Sequence, residues 1–259
     1  MVRVNAQGAQ ELFDFEFEAV KLSGILNIPK SRDPKGIVLI VHGDGKTNAV
    51  AGQWYNDVRH TIIGAGYATY MWDKMGYGNS GGTYKNAQPV ENAALEVIEA
   101  IKNLKRKGIR GAEKIGLWGI SRAGWINPVV IDQYKDIQFW ISVSGVDDEE
   151  TFNYLLEQNL RIHGHPQDTL DQIVTEYHNG ILLSRVGASY QYYLSATPNL
   201  QKDEFWPKIT DGGVSEKGYY EYQKVLQEPS LDQETELPLY VEDFEELLAI
   251  ITIPVLALF

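Results

Sequence analysis

No cysteine occurs among the 259 residues. Disulfides, thiolate metal sites and a cysteine nucleophile are thereby excluded, and the redox compartment is left open, since a cysteine-free chain persists in either. Basic residues are few. Lysine and arginine number 23 against 35 aspartates and glutamates, giving a formal net charge of −12 and a pI of about 4.9. A polyanion would be repelled, so no nucleic-acid partner is expected. Long apolar runs are missing too. No stretch of about 18 apolar residues occurs, so no transmembrane helix is predicted, and the N-terminal MVRVNAQGAQ lacks the apolar centre of a signal peptide. The compartment stays open between the cytoplasm and export with a leader removed. Histidine, the commonest general base, occurs five times, as His42, His60, His163, His165 and His178.

What is present suits one large α/β domain, or a core with an inserted lobe. FDFEFEAV at 13–20 alternates apolar and polar, which predicts a half-buried strand, and KLSGILNIP at 21–29 a second strand ended by Pro29. IVLIV at 37–41 is apolar on both faces, as in a parallel strand covered on each side. A helix over about 53–63 is ended by Gly64, and YATYMW at 67–72 forms a strand. A helix over 89–107 opens with Pro89 and carries Val90, Ala93, Ala94, Val97, Ile98, Ile101 and Leu104 as one stripe. KIGLWG (114–119), a helix at 123–134 and QFWISVS (138–144) continue the alternation, which implies right-handed crossovers and a mostly parallel sheet with helices on both faces.

The alternation stops near Asp147. Residues 148–245 are acidic, tyrosine-rich and mainly helical in pattern, too long for a plain loop. IPVLALF at 253–259 restores the buried-strand pattern. The expected organisation is a core over 1–147, a helical insertion over 148–245 lying above the sheet's carboxyl edge, and a return to the core over 246–259.

The sharpest chemical signal is Gly119-Ile120-Ser121-Arg122-Ala123-Gly124, between a strand and a helix. A serine there sits on a strained strand-to-helix turn, the nucleophile elbow, with the N–H groups and positive dipole end of a helix beside it. The usual pattern is G-x-S-x-G, and Ala123 replaces its last glycine; the bland reading is an ordinary strand–turn–helix corner. Strand IVLIV runs into His42-Gly43-Asp44-Gly45; in an α/β-hydrolase the loop after this strand supplies the second oxyanion donor, which would here be the Asp44 N–H beside that of Arg122, with His42 structural. The bland alternative is a glycine-rich turn.

Two look-alikes are set aside. Gly45-Lys46-Thr47 matches the end of a phosphate-binding loop, but Ile40 stands where that motif needs glycine. Gly76-Tyr77-Gly78-Asn79-Ser80-Gly81 spells a dinucleotide fingerprint outside the first strand–helix unit.

In order and content, LSGILNIP, VLIVHGDG, the Asp73-to-Gly82 segment and GISRAG resemble the α/β-hydrolase superfamily, particularly its serine aminopeptidase-like and esterase branch. The resemblance covers 12–146 and 249–259; the stretch between resembles a variable cap in position only. It implies an α/β-hydrolase fold and a serine hydrolase of ester or amide bonds, a carboxylesterase or aminopeptidase-like enzyme, with Ser121 as nucleophile and the backbone N–H groups of Asp44 and Arg122 as oxyanion hole. The Asp73 segment corresponds to the D-x-x-G-x-G-x-S loop that shapes the site floor without doing chemistry. Substrates would be small molecules or peptides, and the acidic surface favours those with a free amine. No metal and no organic cofactor is implied; the oligomeric state is left open. The superfamily's chain order is serine, acid, histidine, so the usual acid and base, and the C-terminal part of the fold, are expected beyond Phe259, and residues 1–259 alone are expected to turn over slowly. Asp147 is the in-chain candidate for the acid. His163-Gly164-His165 lacks the carboxylate spacing of a zinc motif, and Tyr190, Tyr192, Tyr193, Tyr219, Tyr220 and Tyr222 read as core packing before pocket lining. The alternative is a hydrolase-fold protein that binds without catalysis, because the chain contains no evident base.

Overall fold

The computed structural model describes residues 3–4, 8–30, 33–52, 54–85, 88–145, 149–204, 206–209, 215–227, 231–232, 234–241 and 243–258. They fall into two compact units, Met1–Val146 with Leu231–Phe259, and Asp147–Ser230.

The first unit is built on one sheet. Its strands are β1 (Arg3–Val4), β2 (Gly8–Leu12), β5 (Gly24–Pro29), β6 (Ile37–Val41), β7 (Ala68–Trp72), β8 (Ile115–Ile120), β9 (Ile137–Val143) and β10 (Val255–Leu258), and a separate hairpin pairs β3 (Phe15–Phe17) with β4 (Val20–Leu22). The spatial order is β1-β2-β5-β7-β6-β8-β9-β10. Pairing is antiparallel from β1 to β7 and parallel from there to β10. The α/β-hydrolase fold expected from the sequence is therefore present. Every residue of β6 and β7 is buried, because helices cover both faces. On one face α2 (Val90–Arg106) and α3 (Ala123–Gln133) pack Val97, Ile101, Leu104, Ile126 and Val130 against Leu39, Val41 and Trp72. On the other, Val58 and Ile62 of α1 (Asn56–Gly64) pack against Val38, Ile40 and Met71. A side chain such as Leu39 or Ile101, buried against such neighbours, contributes about 1.5–3 kcal/mol relative to remaining exposed.

This order positions the site. From β6 the chain crosses to β7 on one side, and from β8 to β9 on the other. The crevice of an open α/β sheet forms at the carboxyl ends of strands where the order reverses, here β6 and β8. Residues 42–45 leave β6 at that point, and Ser121 leaves β8.

Three expectations are corrected. The run IPVLALF, read as a buried strand, forms an edge strand whose Val255, Leu256 and Leu258 are exposed. The run 13–20 is not one strand: Glu18 and Ala19 adopt φ of 50° and 60°, and the chain folds back as a hairpin with Phe17 opposite Val20. A two-residue turn with both φ values positive matches the strand twist, but it normally carries Asn-Gly, so Glu-Ala gives no turn signal. The stretch 231–245, expected to end the insertion, groups with the core. An ion pair and a backbone hydrogen bond tie it there: Lys85 pairs with Asp232 at 3.0 Å, and Val90 N donates to Pro238 O at 3.3 Å.

The second unit holds α4 (Glu149–Ile162), α5 (Gln167–Arg185), α6 (Tyr190–Ala196), α7 (Trp206–Ile209) and α8 (Glu216–Gln227). It has its own core of Leu156, Leu160, Leu170, Ile173, Ile181, Leu200 and Trp206. Tyr193 and Tyr219 are buried and stacked 4.7 Å apart, so these two tyrosines are packing groups, while Tyr192, Tyr220 and Tyr222 are exposed. A short helix α9 (Phe244–Ala249) precedes β10 in the first unit. Among the described residues no helix is long and apolar enough to cross a membrane.

Candidate active site

Ser121 occupies a tight turn between β8 and α3. Its φ is +53°, in the left-handed region that a non-glycine residue enters only at a cost in strain. Its N–H donates to Val143 O at 3.1 Å, and its carbonyl accepts from Gly124 N at 2.7 Å. The turn has no spare room. A Cβ on Gly119 would lie 2.3 Å from Asn127 Nδ2 and 2.8 Å from Ala123 Cβ, so only glycine fits two positions before the serine. Ala123, in place of the pattern's last glycine, is fully buried, and its methyl is accommodated.

The loop after β6 comes against this turn. A Cβ on Gly43 would stand 3.0 Å from Ser121 Cβ and 3.5 Å from Ser121 Oγ. The loop is held from below by Lys74, whose Nζ donates to Gly43 O at 2.6 Å. From the side it is held by Arg122, whose Nη1 donates to Asp44 Oδ1 at 3.2 Å. The Arg122 guanidinium is buried and also donates to the carbonyls of Gln88 and Leu239. Among the described residues, the backbone N–H groups of Asp44 and Arg122 have no hydrogen-bond acceptor.

Beside the loop is a small cavity of about 120 Å³, lined among others by His42, Trp72, Lys74, Gln88, Glu96 and Arg122. Apolar residues such as Val41, Val97 and Ile126 line it too. Burial holds the Lys74 ammonium down at about 8; the Asp44 carboxylate opposes this and the nearby Arg122 adds to it. Burial, with the Lys74 charge adding to it, pulls His42 down to about 3, so its imidazole is neutral. Its Nε2 has no hydrogen-bond partner among the described residues. Burial pushes the Glu96 carboxyl up, opposed by hydrogen bonds from Trp72 and Gln88; Trp72 Nε1 donates to Glu96 Oε1 at 2.5 Å.

The D-x-x-G-x-G-x-S segment is a structural knot. Asp73 is fully buried, and its carboxylate accepts from the N–H groups of Ala49, Val50 and Asn79 at 2.6, 3.0 and 2.8 Å. The sequence reading missed Lys74, Glu96 and the side chain of Arg122. Glu96 lies on the flank of the α2 stripe, where an acid reads as surface, and nothing in the residue pattern marks Lys74. Of the remaining candidates, Asp147 lies outside the described residues. His60 is on α1. His163 Nδ1 is 2.7 Å from Asn159 O and His165 Nε2 is 3.2 Å from Asp203, both within the second unit.

Comparison with known proteins fixes the family. The model described as serine aminopeptidase, S33, matches residues 32–161, half of the chain. The chain belongs to the S33 serine aminopeptidase family. Within the wider α/β-hydrolase superfamily the chain is similar to several solved structures. An esterase of Pyrococcus furiosus is 20% identical with a TM-score of 0.46, over 62% of this chain and 61% of that one. The ferulic-acid-bound Est1E of Butyrivibrio proteoclasticus is 18% identical with a TM-score of 0.45, over 57% and 56%. A dienelactone hydrolase of Anabaena variabilis is 22% identical with a TM-score of 0.45, over 54% and 64%. The chain thus spans about three fifths of the length of these structures. No curated protein matches it.

Proposed function

We infer that this S33 family member is a serine hydrolase of ester or amide bonds, acting on small molecules or peptides through an acyl-enzyme on Ser121. The observation that carries the reading is the left-handed Ser121, a non-glycine residue kept in a strained conformation at the carboxyl edge of the sheet. Ser121 Oγ attacks the substrate carbonyl carbon and gives its proton to a base. The oxyanion is held by the N–H groups of Asp44 and Arg122. The leaving group departs with that proton, and water reverses the sequence to release the acid. His42 is not the base, because it is buried and neutral with a pKa near 3. In the superfamily's chain order of serine, acid, histidine, the orienting acid and the base follow Ser121 in the sequence.

The test is turnover of an activated ester by the full-length protein and its Ser121→Ala variant. Removal of the nucleophile lowers kcat by on the order of 10⁴-fold or more, leaving only residual catalysis from the oxyanion hole and binding. Equal rates would remove Ser121 from the mechanism and favour a hydrolase-fold protein that binds without catalysis at this site.

A further inference from the structure

One peptide unit joins Gly43 to Asp44, and it carries both the Gly43 carbonyl and the Asp44 N–H. The unit is planar and trans, so the two groups point in opposite directions, and whatever fixes the carbonyl fixes the N–H. Glycine at 43 leaves the backbone freer to rotate than any other residue would, and Asp44 is exposed. Two contacts restrain this peptide. Lys74 Nζ grips Gly43 O at 2.6 Å, and Arg122 Nη1 grips the Asp44 carboxylate at 3.2 Å.

We propose that Lys74 and the Arg122 side chain are positioning residues, which hold the Gly43–Asp44 peptide so that its N–H faces the oxyanion formed at Ser121. This rests on the nucleophile assignment above. The arrangement is self-consistent: Arg122 offers one N–H from its backbone, and with its side chain it braces the residue that offers the other. Its own anchors, the carbonyls of Gln88 and Leu239, belong to the core. Lys74 adds a second effect. An ammonium on a peptide oxygen draws electron density toward that oxygen and makes the N–H on the other side a stronger donor, in a site where charge is poorly screened.

The cost of the arrangement supports a role in function. Lys74 is half-buried, and among the described residues it makes no ion pair; its hydrogen bond goes to a neutral carbonyl. Asp44, Glu96, Arg122 and the neutral His42 face it across the cavity. A shielded ammonium without a carboxylate in contact is a poor choice for stability alone.

The absence of cysteine from the chain gives a clean test. In the full-length protein, Lys74→Met removes the donor and keeps the apolar stem. With any cysteine outside residues 1–259 first changed to serine, Lys74→Cys introduces a single thiol that 2-bromoethylamine alkylates, with loss of bromide, restoring an ammonium at the same reach. The expected result is a roughly 10- to 100-fold fall in kcat for an activated ester in Lys74→Met, with KM changed less than about 3-fold, a smaller loss than the roughly 10²- to 10³-fold that follows outright removal of an oxyanion-hole donor. Lys74→Cys shows the same loss, and alkylation recovers most of it. Arg122→Met is expected to lower kcat in the same sense. The proposal is overturned if Lys74→Met keeps the parent kcat while Ser121→Ala loses it. It is also overturned if alkylation restores the melting temperature and not kcat, which would make Lys74 a packing residue. Full activity in Ser121→Ala would instead strike the nucleophile assignment beneath it.

Discussion

At the carboxyl end of β6 an imidazole is kept neutral by its surroundings. His42 packs edge-on to Trp72 with ring centroids 5.9 Å apart, and burial is the main cause of its pKa near 3. Above pH 6.5 the folded and unfolded chains both carry it neutral, and the stability it contributes is fully present. As pH falls below 6.5 the unfolded chain binds a proton that the folded chain refuses until about 3. Stability is lost through that window at up to about 1.4 kcal/mol per pH unit. Denaturant unfolding at pH 6.5 and 4.5 checks this against His42→Gln, which cannot titrate. The wild type should lose about 2 kcal/mol more than the variant over that interval. Glu96 and the surface carboxylates are common to both proteins and cancel. Parallel acid losses would mean that His42 takes its proton normally and is not buried as described.

Among the elements, Asp73 ties together two of the loops at the carboxyl edge. Its carboxylate collects three backbone N–H groups from two segments, residues 49–50 and 79. Asp73→Ala leaves these donors without a partner, and a loss of about 3 kcal/mol is expected in chemical denaturation, with Asp73→Asn losing roughly half as much. A loss below about 1 kcal/mol for Asp73→Ala would show that water replaces the carboxylate at no penalty. The same elements show where the sequence was legible. IVLIV is uniformly apolar, and YATYMW and KIGLWG largely so, because helices cover both faces, and that pattern marks a buried parallel strand in the sequence. Gly119 and Ser121 were legible because the crowded turn permits so few residue types. The hairpin at Glu18-Ala19 was not, since its positive φ values fall on residues that carry no turn signature. The return of 231–245 to the core was hidden for another reason. It is made by Lys85, Asp232 and backbone groups of residues 238–239, and no periodicity encodes such contacts. Lys74 was hidden because its partner is a backbone carbonyl, and any residue type carries one.

On the scale of the whole molecule, the chain falls into two compact units, each with its own apolar core. The first unit carries the sheet, the strained serine and both oxyanion-donor candidates. Covalent trapping of Ser121 tests the central claim most directly. The full-length protein is treated with a fluorophosphonate, which phosphonylates an activated serine with loss of fluoride, and the product is read by intact mass and peptide mapping. One adduct per chain is predicted, on the peptide containing Ser121 and absent from Ser121→Ala. An adduct that persists in Ser121→Ala, or that maps to another residue, would contradict the account.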